Sequence, residues 1–410
     1  MRRYQVSAKI VIATPHLLRG KQSRLLQQTG LPRRLRLLAM TGLLFLSSIF
    51  CNPSPAFAIE TAAKQAFMID MNTHSVMLNK NGDEAMHPSS MSKLMTVYIL
   101  FQRLKEGRVH LDDKFSISEK AWRTQGSKTF VGIGEQISVE DLIHGIIIQS
   151  GNDACIVVAE GLSGNEEAFV SEMNRVAKTI GLTHSHFTNA TGLPDDNHLM
   201  SSRDLATLAE RLIIDFPEYY HYFSEREYTY NHITQGNRNR LLGNDIGVDG
   251  LKTGHTDAGG YGIALSAQQN GRRLILVING MESDNDRMEE GDRLLRWGFR
   301  EFEDKVLLHK GQKVADAKVW FGKKPLVPLV ADQDVVLTLP INAGEVTLTL
   351  KYNEPMPAPV AAGAHVADLL VTPPGGEPMA IPLVAGEDVP KLSGFGRAWA
   401  VLGYYVHRKQ

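Results

Sequence analysis

Three short groups of residues carry the parts of an acyl-transfer site: Ser90-Met91-Ser92-Lys93, Ser150-Gly151-Asn152 and Lys252-Thr253-Gly254, in that chain order. A serine hydroxyl is a poor nucleophile until a base takes its proton. One helical turn separates Ser90 from Lys93, which lets the amine reach the hydroxyl on the same face. The amine works as a base near neutrality only if burial or a second cation depresses its pKa, and Lys252 is the candidate for that cation. Order matters more than any single group. Ser-x-x-Lys and Lys-Thr-Gly each occur once, whereas the middle pattern recurs at Ser163-Gly164-Asn165 and Ser283-Asp284-Asn285. Ser283 follows the Lys-Thr-Gly group and Ser163 falls beyond a helix expected to begin at Asn152, so neither fits.

These groups need a rigid frame. Apolar stretches over 66–70 and 75–78 flank Met71-Asn72-Thr73-His74 and predict a hairpin at a sheet edge. Pro88, Ser89 and Ser90 are helix-start residues, and Leu94, Val97, Tyr98, Phe101 and Leu104 recur at helical spacing up to Gly107. The same periodicity predicts helices over 139–149, 152–160, 166–180 and 202–214. Strands over 260–268 and 272–278, separated by Asn270-Gly271, predict a second hairpin, and a last helix follows over 292–299. Hairpin, helices, hairpin and helix describe an antiparallel sheet covered by helices. Beyond residue 306 the texture turns to Val, Leu, Ala, Pro and Gly in short alternating segments, which reads as a small all-β domain. In 394–410, Phe395, Trp399, Leu402, Tyr405 and Val406 share one helical face, with Arg397, His407, Arg408 and Lys409 near its rim. That is an amphipathic helix suited to a membrane surface or to docking on the β domain.

The composition is that of an ordinary globular protein, with 43% hydrophobic and 22% charged residues. The start of the chain differs. Nine Lys or Arg and no acidic residue precede Glu60, an apolar run covers 37–50, and Ala56-Phe57-Ala58 follows. These are the basic region, short apolar helix and small-x-small site of an export signal over 1–58, cleaved after Ala58. Losing those nine cations takes the formal net charge from −1 to −10, and an acidic body argues against nucleic acid as a partner. Cys51 leaves with the signal. Cys155 then has no bridge partner, and in the apolar run 154–159 it reads as a buried structural thiol. His184 and His186 have no second pair of ligands at metal spacing, so no metal and no cofactor are expected.

The run Val248-Asp249-Gly250-Leu251-Lys252-Thr253-Gly254-His255-Thr256-Asp257, then Gly260-Tyr261, together with Gln149-Ser150-Gly151-Asn152-Asp153-Ala154, resembles the low-molecular-mass D-alanyl-D-alanine carboxypeptidases over residues 66–299. The resemblance implies an α/β (α+β) catalytic domain of the penicillin-binding transpeptidase type over 59–303. A β-rich domain over 304–392 and an amphipathic membrane-anchor helix over 393–410 extend it. It also implies roles. Ser90 attacks the carbonyl between the two terminal D-alanines of a peptidoglycan stem peptide, Lys93 takes its proton, and Ser150 relays a proton to the departing D-alanine. Asn152 holds a substrate carbonyl. Lys252 and Thr253 engage the terminal carboxylate, with Arg238 as the carboxylate-binding arginine and Arg240 as its close competitor, and Gly254 is a further substrate-binding residue. The backbone N–H groups of Ser90 and His255 form the oxyanion hole.

β-Lactams are the expected covalent inhibitors, and the inner-membrane surface is the expected partner of the terminal helix. The expected location is the periplasm, peripheral on the outer face of the inner membrane. A class A β-lactamase shares the acylation residues but adds a glutamate four residues before an asparagine, to activate the deacylating water. No such pair is expected between Ser150 and Lys252, and the β domain has no counterpart there, so penicillin should leave slowly. Two other readings are an endopeptidase that cuts cross-links and a wall-binding scaffold with an idle serine site. The intact triplet disfavours the second.

Overall fold

The computed structural model describes residues 4–12, 59–341, 346–372 and 378–394. Two compact units divide it. The larger holds Ile59–Gln312 and Gln333–Ile341, and the other holds the described parts of Met1–Ala58, Lys313–Asp332 and Asn342–Gln410.

Strand β1, Tyr4–Ile12, belongs to the second unit and covers the first part of the expected export segment. In the larger unit, β2 (Gln65–Asp70) and β3 (Val76–Lys80) form the first expected hairpin. The Asp70 carboxylate accepts from the N–H groups of Asn72 and Thr73 and so shapes its turn. Short pairs β4/β5 (Lys114–Ser116, Gln136–Ser138) and β6/β7 (Glu227–Tyr230, Ile233–Gly236) lie among the helices in sequence. Then come β8 (Val248–Thr256), β9 (Gly260–Gln269) and β10 (Arg272–Met281). Asn270 and Gly271 turn β9 into β10 with φ of +51° and +80°, the left-handed pair that a two-residue hairpin of this type needs. The five strands run β3-β2-β10-β9-β8, all antiparallel, with β3 on the edge as expected.

The helices are α1 (Lys93–Lys105), α2 (Glu119–Arg123), α3 (Val139–Ile147), α4 (Asn152–Ser163), α5 (Glu166–Thr179), α6 (Ser202–Asp215) and α7 (Asp284–Glu301). Ser118, Ser138, Asn165, Ser201 and Ser283 each cap one of them by accepting a backbone N–H three residues on. α1 is buried without interruption from Lys93 to Phe101, so it is a central helix buried all round, and not a surface helix with one wet face.

Period-two alternation on the sheet feeds two cores. Ile275 and Val277 join Phe67, Leu251 and Ala264 beneath α1 and α3 to α6, whereas Leu274, Leu276 and Ile278 join Met68, Leu265, Leu294 and Leu295 beneath α7. Each such side chain contributes about 1.5–3 kcal/mol by leaving water. The sheet is thus covered by helices on both faces.

Two elements depart from expectation. α7 begins at Asp284, eight residues before the predicted 292, because its first turns are polar and are started by the Ser283 cap instead of apolar periodicity. β8, which carries Lys252, Thr253 and Gly254, was not anticipated as a strand. The larger unit is closed by β11 (Phe302–Leu308), paired with β14 (Val335–Pro340). Thr338 on β14 shares a 2.5 Å hydroxyl contact with Thr73 of the first hairpin.

The second unit is all-β: β12 (Lys313–Trp320), β13 (Leu326–Ala331), β15 (Val346–Glu354), β16 (Met356–Pro357), β17 (His365–Thr372) and β18 (Met379–Ala385) join β1 in one sheet ordered β1-β15-β17-β18-β13-β12-β16. Val346, Leu348 and Leu350 alternate inward on β15, as do Ala367, Leu369 and Val371 on β17. The rest of the expected export segment, up to Ala58, and the expected terminal helix, apart from Ser393 and Gly394, lie outside the described residues. Among the described residues, no helix is long and apolar enough to cross a membrane.

Candidate active site

Ser90 sits on a 3-10 turn, Ser89–Ser92, that runs directly into α1, whose first residue is Lys93. Two glycines let neighbouring segments close on that turn. A Cβ on Gly254 of β8 would stand 2.7 Å from the Pro88 carbonyl oxygen, and one on Gly192, where φ is +76°, would stand 2.1 Å from that of Ser89. A 2.8 Å contact between Ser89 Oγ and Thr256 Oγ1 also ties the turn to β8.

Lys93 Nζ donates to Ser90 Oγ at 2.7 Å and, in a short bond, to the Thr191 carbonyl. Asn189 Oδ1 fixes that carbonyl's loop by accepting from the N–H groups of Thr191 and Gly192 and from the Thr191 hydroxyl. Lys93 is wholly buried, and burial drives its pKa down to about 8, with Arg238 pushing the same way and Asp153 opposing. Lys252 is buried too. Burial first, then the cations of Lys93 and Arg238, hold it well below the ordinary lysine value. Two amines therefore share one dry site in which two protons are costly.

Ser150 follows α3 with φ of +60°, a conformation that costs a non-glycine residue on the order of 1–3 kcal/mol and concentrates at functional sites. Its buried Oγ has no hydrogen-bond partner among the described residues. Asn152 opens α4, its backbone N–H donating to the Ser127 carbonyl and its Nδ2 to the Gln125 carbonyl, both at 2.7 Å. One amide hydrogen of Asn152 is left for another acceptor. Asp153 then gathers the N–H groups of Thr129, Phe130 and Val131 at 2.8, 2.9 and 3.3 Å, which clips the 125–131 loop to the start of α4.

Ser90 opens on a cavity of about 580 Å³ whose wall also carries Thr253, Gly254, His255 and Arg238. Lys93, Lys252, Ser150 and Asn152 are buried and lie off that wall. Both candidate arginines reach the cavity. Arg240, however, is held by Asp284 and Asn285 at 2.8 and 2.9 Å, whereas the Arg238 guanidinium meets no acceptor among the described residues. The loop carrying Arg238 is anchored to β8, because Asn239 Nδ2 donates to the Gly250 carbonyl at 3.0 Å.

Several contributors carried no signal strong enough to single them out. The Thr191 carbonyl is backbone; only the turn-forming run Asn189 to Gly192 hinted at it. Buried Arg287 of α7 donates to the carbonyls of Gly254 and Gly262 at 3.0 and 3.2 Å, and Tyr261 stacks on His255 with ring centroids 3.8 Å apart. Ser127 reaches the cavity through the clipped loop.

The rejected look-alikes have other places: Ser163 ends α4, rather than lying beyond it, and Ser283 caps α7. One expectation needs correction. The Glu-x-x-x-Asn spacing does occur between Ser150 and Lys252, at Glu227 and Asn231, but both residues are exposed on the β6/β7 hairpin and neither lines the cavity. Cys155 is fully buried in α4, and burial pushes its thiol up to about 12, so it is no nucleophile at neutral pH.

Comparison with known proteins shows the family. The family profile described as D-alanyl-D-alanine carboxypeptidase matches residues 52–283, and the one described as the C-terminal domain of penicillin-binding protein 5 matches 302–391. The chain is 36% identical over 374 residues to the D-alanyl-D-alanine carboxypeptidase DacC of Escherichia coli, covering 89% of this chain and 94% of that one. Against DacA of Haemophilus influenzae the identity is 35% over 348 residues, covering 83% and 88%. The crystal structure of penicillin-binding protein 5 from Haemophilus influenzae superposes with a TM-score of 0.72 at 35% identity, covering 81% of this chain and 99% of that one. The chain belongs to the D-alanyl-D-alanine carboxypeptidase family of penicillin-binding serine hydrolases.

Proposed function

We propose that Ser90 carries this family's serine carboxypeptidase reaction, accepting a peptidoglycan stem peptide that ends in D-Ala-D-Ala and releasing the terminal D-alanine. The observation that carries the assignment is the 2.7 Å bond from Lys93 to Ser90 at the edge of a cavity that also holds Arg238, whose guanidinium has no hydrogen-bond acceptor among the described residues. The substrate's terminal carboxylate meets Arg238, Thr253 and Lys252. A carboxylate there favours a proton on Lys252, and repulsion then leaves Lys93 as the neutral amine. Lys93 takes the Ser90 proton as Oγ attacks the penultimate carbonyl, and the oxyanion falls between the N–H groups of Ser90 and His255. Collapse breaks the peptide bond, with Ser150 passing a proton to the leaving amine. Water then cleaves the ester on Ser90, and the second hydrogen of Asn152 Nδ2 holds the acyl chain's carbonyl.

A β-lactam follows the same attack, but its ring opens without releasing a leaving group. Among the described residues no glutamate lines the cavity to activate water, so the adduct persists. The test is a pentapeptide ending in D-Ala-D-Ala: wild type should release D-alanine and tetrapeptide in equal amounts, and Ser90→Ala should release neither. No release by the wild type contradicts the proposal. The same reading takes 1–58 as an export signal, supported by its charge pattern, and 393–410 as a membrane-surface helix that holds the protein in the periplasm. Deleting 394–410 should move the protein to the soluble fraction; unchanged partitioning contradicts the anchor.

A further inference from the structure

Behind the nucleophile turn lies a second, small cavity of about 50 Å³, separate from the one on which Ser90 opens. Ser89 and Gly192 line it from the nucleophile side, Thr256 from β8, and His198 from a turn, with Asp195 and Asp196 nearer the exposed side. His198 is the unusual member. It is 2% exposed, and its Nε2 is buried with no hydrogen-bond partner among the described residues. Leaving a buried polar atom unsatisfied is costly, and such atoms in native proteins are nearly always paired with protein or water.

The proton on the ring can be assigned. The Thr188 backbone N–H donates to His198 Nδ1 at 3.2 Å, so Nδ1 is an acceptor and the hydrogen of the neutral ring sits on Nε2. Burial keeps the ring neutral, pulling its pKa down to about 4, with Lys93, His186 and His87 adding to the fall and Asp195 opposing it. Nε2–H is therefore a donor unsatisfied among the described residues, on a residue that lines this small cavity, whose wall is about evenly polar and apolar. The volume exceeds the roughly 10–15 Å³ that one buried water requires and is too small for a peptide group. Ser89 and Thr256, already bonded to each other at 2.8 Å, supply hydroxyls on the same wall.

We propose that this cavity holds an ordered water that accepts from His198 Nε2–H and bonds the Ser89–Thr256 pair, making His198 a positioning residue for the oxyanion hole. Ser89 immediately precedes Ser90 and Thr256 immediately follows His255, so the water braces the chain next to both backbone donors. The inference rests on the proposed roles of Ser90 and His255. The consequence is specific: loss of the Nε2–H donor shifts the two N–H groups apart without touching the carboxylate receptor.

The test compares His198→Gln, whose side-chain amide keeps a donor, with His198→Leu, which has none. Labelled penicillin acylation, D-alanine release and the melting temperature are measured for both. The expected result is that His198→Leu loses roughly tenfold or more in acylation rate and in kcat with little change in KM, while His198→Gln restores most of it. Equal losses in the two variants, or a His198→Leu enzyme that acylates like wild type, overturn the proposal. Should His198→Leu fail to fold, ¹⁵N NMR of histidine-labelled wild type decides: the neutral Nε2–H tautomer at neutral pH agrees, and the Nδ1–H tautomer or imidazolium contradicts it. A wild type that penicillin does not acylate counts against the serine-enzyme reading itself and not against the water site alone.

Discussion

Replacing Lys93 by methionine separates what the lysine does chemically from what its burial costs. In the folded protein its pKa falls from 10.5 to about 8, so the native state binds fewer protons than the unfolded chain between those values. Stability contributed by this site therefore rises with pH through that window and is withheld below it. At 1.36 kcal/mol per pKa unit, the fold forgoes about 3 kcal/mol near neutrality. Against that gain, Lys93→Met orphans the buried Thr191 carbonyl, at about 1–3 kcal/mol, while the Ser90 hydroxyl on the cavity wall can turn to water. The orphan cost does not depend on pH. Removing one cation also relieves Lys252, which adds to the stabilisation near neutrality. The stability difference, variant minus wild type, should thus be near zero or positive at about pH 7 and fall by about 3 kcal/mol as the pH rises to about 10. Urea unfolding of both proteins across this range measures it, while labelled penicillin should report no acylation of the variant. A difference that stays flat with pH would refute the depressed lysine, and with it the account of how Ser90 is activated.

Three further outcomes follow from the geometry. Arg238→Gln should raise KM for a D-Ala-D-Ala peptide by about 10- to 100-fold, the loss of a charge-assisted bond, while Arg240→Gln, which breaks an exposed pair, should change it less than about threefold; steady-state kinetics with equal effects of the two would reassign the carboxylate contact. Gly192→Ala drives a Cβ into the Ser89 carbonyl at φ +76°, so acylation should fall by about 100-fold or more through displacement of the nucleophile turn, and wild-type rates in this variant would contradict the close packing. Penicillin turnover should remain slow in wild type and be unaltered by Glu227→Gln, since the exposed Glu227 side chain does not line the cavity, although its cross-strand partner Gly236 does; rapid steady-state hydrolysis of benzylpenicillin would return the β-lactamase reading.

Much of this frame could be read from residue order. The Asn270-Gly271 turn and the 3.6-residue spacing from Leu94 to Leu104 announced their elements because local chemistry and burial agree there. Strand β8 escaped notice because it does not alternate: most of Val248 to Gly254 is buried, with Gly250 and Gly254 admitting close neighbours in place of the usual side-chain pattern. The start of α7 lies ahead of its apolar periodicity: Ser283-Asp284-Asn285 matches the catalytic pattern, yet Ser283 accepts from the Asp286 N–H as a helix cap. At the site, Ser90, Lys93 and the Lys-Thr-Gly run were recognisable by type and order. The Thr191 carbonyl, the loop clipped by Asp153 and the buried Nε2 of His198 depend on tertiary approach, and no spacing along the chain encodes them.

Whether Ser90, activated by Lys93, is the residue acylated is decided by incubation with labelled benzylpenicillin, followed by proteolysis and mass spectrometry. One adduct per chain is expected, on Oγ of Ser90, and none on Ser90→Ala. An adduct on any other residue, or undiminished labelling of Ser90→Ala, would contradict it.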